Sequence, residues 1–261
     1  MAILFDLDGV FYQGDQALPG ATEVAHWVRD EEIPHLFLTN TTSRPRQALV
    51  TKLAGFGIET NTSRILTPAV VASNWCRQNI PGGAVALFVP EATRAEFDGL
   101  PHSDCADEVA AVIVGDLGEK WNFDRLNRAF SYLMAAKHPQ LIALGMTRYW
   151  QAPEGLRLDV APFVMALAHA ASVEPLVTGK PDPAFFQAAL SMLDAKPAET
   201  VMIGDDIRGD IEGAQSAGLR GLLVRTGKFR ENDLAQGIRP DALFDSLAEL
   251  PAWYLENRRP A

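Results

Sequence analysis

Two pairs of carboxylates set the chemistry open to this chain. Asp6 and Asp8 stand two apart in Asp6-Leu7-Asp8-Gly9-Val10, and Asp205 and Asp206 follow Gly204. On a straight strand Asp6 and Asp8 would share one face. Gly9 implies that the chain is already turning, so one carboxylate can face a ligand while the other sits beside it. If the two pairs meet, the cluster is unfavourable unless a cation or bound proton offsets it. Mg²⁺ suits an all-oxygen site and commonly takes one or two carboxylates plus phosphate and water. No His/Cys cluster competes for a softer metal. Thr39-Asn40 adds a hydroxyl and an amide, and Gly179-Lys180-Pro181 adds a cation. Each feature alone has an ordinary explanation, as a turn, a helix cap or a solvent-facing lysine. Their joint placement argues for a site.

Short apolar runs alternating with helical stretches predict a largely parallel sheet covered by helices. The predicted strands are Ala2–Phe5, His35–Leu38, Val85–Val89, Val109–Val114, Leu141–Leu144, Thr200–Ile203 and Gly221–Val224. The predicted helices are Thr22–Asp30, Pro45–Gly55, Pro68–Asn79, Phe123–Ala136, Pro162–Ala171, Pro183–Leu193 and Asp210–Ala217. Three strands run directly into the polar residues: the first into Asp6, the second into Thr39-Asn40, and Thr200–Ile203 into Gly204-Asp205-Asp206. Ligands of parallel α/β folds bind at the carboxyl edge of the sheet, so these ends converge if the strands are neighbours. Pro81 to Glu174 has its own strand-helix alternation without acidic strand ends. A second small α/β domain inserted into the first accounts for it, giving a core of residues 1–80 and 175–261 around an insertion of 81–174.

The ordered set Asp6-Leu7-Asp8-Gly9-Val10, Thr39-Asn40, Gly179-Lys180-Pro181 and Gly204-Asp205-Asp206 with Asp210 resembles the haloacid dehalogenase-like (HAD-like) hydrolase superfamily. The insertion between the second and third motifs is similar to that of the type IIA, NagD-like group. Leu158-Asp159-Val160, Gly204 to Asp210 and Val224-Arg225-Thr226-Gly227-Lys228-Phe229 carry a resemblance to its phospholysine phosphohistidine inorganic pyrophosphate phosphatase branch. The resemblance implies a Rossmannoid parallel-sheet core with an inserted α/β cap of type C2. It also implies a Mg²⁺-dependent phosphatase acting on small phosphorylated metabolites through an aspartyl-phosphate. Asp6 is then the nucleophile, and Asp8 the acid and base. The Mg²⁺ ligands are the carboxylates of Asp6 and Asp205 and the backbone carbonyl of Asp8. Thr39, Asn40 and Lys180 would bind the phosphoryl group, with Asp206 and Asp210 orienting ligands from behind. In the cap, Arg148, Tyr149 and Asp159 match substrate-contacting positions, although Met146-Thr147-Arg148 and Ala161 depart from the expected residues. A dehalogenase, a phosphomutase or a noncatalytic binding protein of the same fold stays open at this point.

Other features limit the alternatives. A formal charge of -10, from 33 acidic and 23 basic residues, opposes the dense phosphate contacts of nonspecific nucleic-acid binding. No stretch is long and apolar enough to span a bilayer, no basic start precedes an apolar stretch, and the two cysteines form no framework. Cytoplasm is the expected compartment. Resemblance also implies a homodimer through the cap. The five histidines are scattered, and Lys228 with Arg230 reads as a small basic patch too limited for nucleic acid.

Overall fold

Residues 1–135, 137–152 and 154–258 are described by a computed structural model. Ala136, the last residue of one predicted helix, lies outside the described residues. The chain divides into two compact units, one of Met1–Thr39, Arg46–Leu66 and 180–258, the other of Asn40–Pro45 and Thr67–Gly179.

The strand Ala2–Asp6 is buried along its whole length, as expected for a strand with neighbours on both edges and helices on both faces. It pairs in parallel with Thr200–Gly204 on one side and His35–Leu38 on the other. Arg220–Val224 and then Ala242–Phe244 extend the sheet beyond Thr200–Gly204, and Ile65–Leu66 closes the opposite edge. All six strands are parallel. Alternation divides the side chains between two faces. Ile3, Phe5, Phe37, Val201 and Ile203 join a core with Val24, Val28, Leu49 and Leu53 of the helices Ala21–Asp30 and Arg46–Gly55. Phe11 meets Phe5 and Phe37 edge-on at centroid distances of 5.2 and 5.1 Å, fixing the turn after Asp6 against this face. The helix Pro183–Leu193, with Pro183 in its first turn and Asp182 capping it, buries Phe185 and Phe186 in the same unit.

The second unit has its own four-stranded parallel sheet, ordered Leu176–Val177, Gln140–Ala143, Val109–Val114 and Ala84–Phe88. Pro68–Asn79 packs on one face through Ala69, Ala72 and Cys76. Phe123–Leu133 and Val160–Ala171 cover the other through Ala129, Leu133, Val164 and Leu167. An antiparallel hairpin, Tyr149–Ala152 with Gly155–Leu158, completes the unit and leaves Tyr149, Trp150, Leu156 and Leu158 exposed. A parallel Rossmannoid core interrupted by a further sheet-and-helix insertion is the architecture of a HAD core with its cap.

The helix predicted over Asp210–Ala217 starts earlier. The Asp206 carboxylate accepts from the backbone N–H of Arg208 and Gly209, and a widened π-helical turn runs over Ile207–Glu212 before Gly213–Ser216. The extra backbone in that turn lets Asp210 face back toward the strand ends.

Candidate active site

Thr200–Gly204, Ala2–Asp6 and His35–Leu38 are adjacent in the sheet, so Asp205, Asp6 and Thr39 emerge side by side at its carboxyl edge. All three are buried, as are Lys180 and Asp210. Lys180 Nζ donates to Asp6 Oδ1 at 2.5 Å and to Asp210 Oδ1 at 2.6 Å. Asp210 Oδ2 accepts from the Asp206 backbone N–H at 3.1 Å, so both of its oxygens are engaged. Carboxylate oxygens of Asp6, Asp205 and Asp210 all lie within 4.8 Å of one another.

One ammonium against three buried carboxylates leaves an excess of negative charge. Burial raises the Asp205 pKa, and the Asp6 and Asp210 carboxylates push it further, up to about 8. Burial likewise raises Asp210, to about 6, with Lys180 opposing the rise. Burial works against the charge of Lys180, but Asp210 and Asp6 overcome it and hold its pKa above the usual lysine range. Asp205 Oδ1 is buried and has no hydrogen-bond partner among the described residues, whereas its Oδ2 accepts from the Lys228 backbone N–H at 2.6 Å. An orphaned carboxylate oxygen facing two other carboxylates fits a hard divalent cation. Oxygen-only donors fit Mg²⁺.

The glycines that frame the site have a steric reason. Gly9 and Gly227 both have positive φ, 89° and 56°, and a Cβ on either would collide with Asp205 Oδ2. Thr226 Oγ1 donates to the Gly9 carbonyl at 2.5 Å and ties the two loops together. The segment 226–228 therefore clamps Asp205 through a glycine and a backbone N–H, with the hydroxyl holding the Gly9 loop in place. In the sequence Lys228 reads as surface charge. Its side chain is exposed, but its Nζ reaches Asp206 Oδ2 at 3.2 Å. Burial opposes ionisation of Asp206, yet Lys228 and the N–H groups of Gly209 and Arg208 keep its pKa below the ordinary carboxylate value. Glycines just past Ala2–Asp6 and Arg220–Val224, the two strands that flank Thr200–Gly204, were the available signal.

The remaining predicted residues are distributed as follows. Asp8 is exposed at the turn after Asp6, outside the three-carboxylate cluster. Asn40, Arg148, Tyr149 and Asp159 belong to the second unit. Arg148 and Tyr149 are exposed at the start of the hairpin, with the guanidinium 5.7 Å from the Tyr149 ring. Asp159 Oδ1 accepts from the Val160 N–H and caps the helix Val160–Ala171.

Taken together, a parallel core, a carboxyl-edge aspartate cluster and a lysine bridging two of its members define a phosphoryl-transfer hydrolase fold and site. Family models of haloacid dehalogenase-like hydrolases match residues 3–100, and those of HAD-hydrolase-like proteins match 177–250. The chain is 36% identical over 252 residues to phospholysine phosphohistidine inorganic pyrophosphate phosphatase of Bos taurus, covering 95% of this chain and 91% of the relative. Among solved structures, p-nitrophenyl phosphatase from Archaeoglobus fulgidus aligns with a TM-score of 0.89 at 25% identity, over 97% of this chain and 98% of that one. NagD from E. coli K-12 aligns with a TM-score of 0.85 at 27% identity, over 95% and 97%. The chain belongs to the HAD-like hydrolase superfamily, in the branch related to NagD and the phospholysine phosphohistidine phosphatase. It is a magnesium-dependent phosphatase of the HAD type that acts through an aspartate nucleophile.

Proposed function

We propose that Asp6 is that nucleophile and that the enzyme hydrolyses small phosphorylated metabolites. The observation that carries the assignment is the Lys180 bridge, which aligns Asp6 Oδ1 and leaves Oδ2 without a hydrogen bond among the described residues. Asp6 Oδ2 attacks phosphorus, the bond to the leaving oxygen or nitrogen breaks, and Asp8 supplies its proton. Asp8 then takes a proton from water as the water attacks phosphorus, and the Asp6–phosphorus bond breaks. Lys180 offsets charge on Asp6 and on the phosphoryl oxygens throughout, and Thr39 with Asn40 binds one of those oxygens. Asp6, Asp205 and the Asp8 backbone carbonyl would hold the Mg²⁺, which supplies charge neutralisation between nucleophile and phosphate. Asp210 belongs to the same cluster, but its oxygens already serve Lys180 and the Asp206 N–H, which suits a positioning role.

The inserted segment from about Pro81 to Glu174 selects the leaving group as a cap, with Arg148 and Tyr149 on its exposed hairpin and Asp159 at the hairpin's base. The bovine relative's name adds phospholysine, phosphohistidine and pyrophosphate to the substrates worth testing. A homodimer through the caps and a cytoplasmic location complete the proposal; among the described residues no helix could cross a membrane. Hydrolysis of an aryl phosphate should require Mg²⁺ and fall by at least about three powers of ten in Asp6→Asn. Undiminished turnover by the pure variant refutes the nucleophile assignment. A substrate panel compared by kcat/KM identifies the leaving group, and native mass spectrometry reporting only monomer refutes the dimer.

A further inference from the structure

We propose that the second unit carries an anion site for a diphosphate-type ligand, in paired clefts divided by Arg94 and Arg128. Ala84–Phe88 is an edge strand of the four-stranded sheet. Two clefts lie along it. One, of about 150 Å³, is lined by His102 and Asp104 as well as Arg94 and Arg128. The other, of about 120 Å³, is lined by Lys120, Arg125 and Glu91 with the same two arginines.

Four cations against one carboxylate around the second cleft is a marked local reversal in a chain of net charge -10. Arg125 and Arg128 stand three apart on the helix Phe123–Leu133, an arrangement in which like charges repel. Among the described residues neither makes an ion pair, although Asp104 lines the first cleft with Arg128. Arg94 Nε pairs with Glu91 at 3.1 Å, and its Nη2 donates to the Leu87 carbonyl at 3.4 Å. Arg125 Nη1 donates to the Lys120 carbonyl at 2.5 Å. The Arg128 guanidinium lies 5.6 Å from the Phe88 ring centroid, and Phe88 is itself stacked on Trp121. Each guanidinium is thus oriented by a contact that uses at most two of its five donors. Most of the donors have no acceptor among the described residues. An oriented, under-neutralised arginine set is the arrangement that binds phosphoryl oxygens, often two at a time.

The dimensions limit the ligand. Each cleft is well below the roughly 300–1,000 Å³ that encloses a drug-sized molecule, which disfavours a nucleotide and suits one phosphoryl group apiece. Arg94 and Arg128 line both clefts and can therefore hold two linked groups at once.

The test titrates methylenediphosphonate, a diphosphate with a P–C–P bridge, into Mg²⁺-free full-length protein, following backbone amide signals by NMR. Saturable shifts are expected at Leu87, Phe88, Arg94, Lys120 and Arg128. The Arg94→Gln/Arg128→Gln double variant should bind about tenfold or more weakly at these positions, because two charge-assisted contacts are lost. Its response at Asp6–Gly9 and at Asp205 should match the wild type. Lys120→Gln, a change at one exposed side chain, should weaken binding by a smaller factor and serves if the double variant does not fold. Shifts confined to the Asp6 and Asp205 loops, or wild-type affinity in the folded variants, overturn the proposal. Tighter binding of an acidic peptide than of the diphosphonate at the same residues overturns the ligand class.

Discussion

Replacing Lys180 with Met removes the ammonium that bridges Asp6 and Asp210, at 2.5 and 2.6 Å, and leaves three buried carboxylates within 4.8 Å of one another. Methionine roughly preserves the volume, so the change is chiefly electrostatic. Breaking a buried charge pair by deleting one partner costs about 3–5 kcal/mol, because the remaining charge loses its compensation. For a chain of this size that corresponds to a fall in Tm of roughly 6–20 °C. The loss should depend on pH with a definite sign. Asp210, already raised to about 6 while Lys180 lowers it, rises further in the variant. The folded variant then binds more protons than its unfolded chain, so its stability increases as pH falls. Urea unfolding of both proteins in Mg²⁺-free buffer, at pH 8 and pH 5, should give a large difference at pH 8 and a much smaller one at pH 5. Added Mg²⁺ should restore part of the loss at pH 8. A loss below about 1 kcal/mol that is equal at both pH values refutes the view that Lys180 neutralises this cluster.

Protonation of Asp205 competes with metal binding, and its pKa is raised to about 8, so Mg²⁺ affinity should climb between pH 6 and pH 8.5. Calorimetry giving the same Kd at both ends contradicts the placement of Asp205 as a ligand. In the metal-free protein the same raised carboxyl stabilises the fold at low pH. That contribution should be lost as pH rises from the ordinary carboxylate range through about 8, read as a falling Tm. Gly227→Ala puts a Cβ against Asp205 Oδ2 at a positive φ and should weaken Mg²⁺ binding by about 10–100-fold; unchanged affinity would show that the Thr226–Lys228 clamp is dispensable. Arg148→Ala should lower kcat/KM toward an anionic substrate by roughly one to two powers of ten, and toward a small ester with a neutral leaving group by much less. Equal losses for both substrates would assign Arg148 a general role in the cap.

The central strands were legible because burial on both faces writes them as unbroken apolar runs: His35–Leu38 and Val109–Val114 are as predicted, and Ala2–Asp6 differs by one residue. Pro68–Asn79 and Pro183–Leu193 were legible from proline at their starts. Among the strands that escaped notice are Ile65–Leu66, Leu176–Val177 and Ala242–Phe244, two or three residues each at sheet edges, where no run is long enough to show a period. The hairpin Tyr149–Leu158 was hidden because its apolar side chains are exposed and follow no buried alternation. Asp6, Lys180 and Asp205 could be found by type and spacing. The clamp on Asp205 left only its glycines as a signal, since its other parts are a backbone N–H to Asp205 and a threonine hydroxyl to the Gly9 carbonyl, groups without a distinctive composition.

The pairing of Ala2 with Thr200 and the bond from Lys180 to Asp6, 174 residues away, bear on how the enzyme is made. The strand Ala2–Asp6 leaves the ribosome well before its partner Thr200–Gly204, which comes almost two hundred residues later. At about 5–20 residues per second, the apolar run Ala2–Phe5 lacks that partner for roughly 10–40 s. During this interval the nascent chain already contains Asp6 and Asp8, but neither Lys180 nor Asp205 and Asp210, which cluster with Asp6. Any product that stops short of Thr200 lacks Asp205 and Asp210, and it exposes a sheet edge able to capture other chains. The cluster at Asp6 is complete only when the segment from Lys180 onward folds back beside Ala2–Asp6.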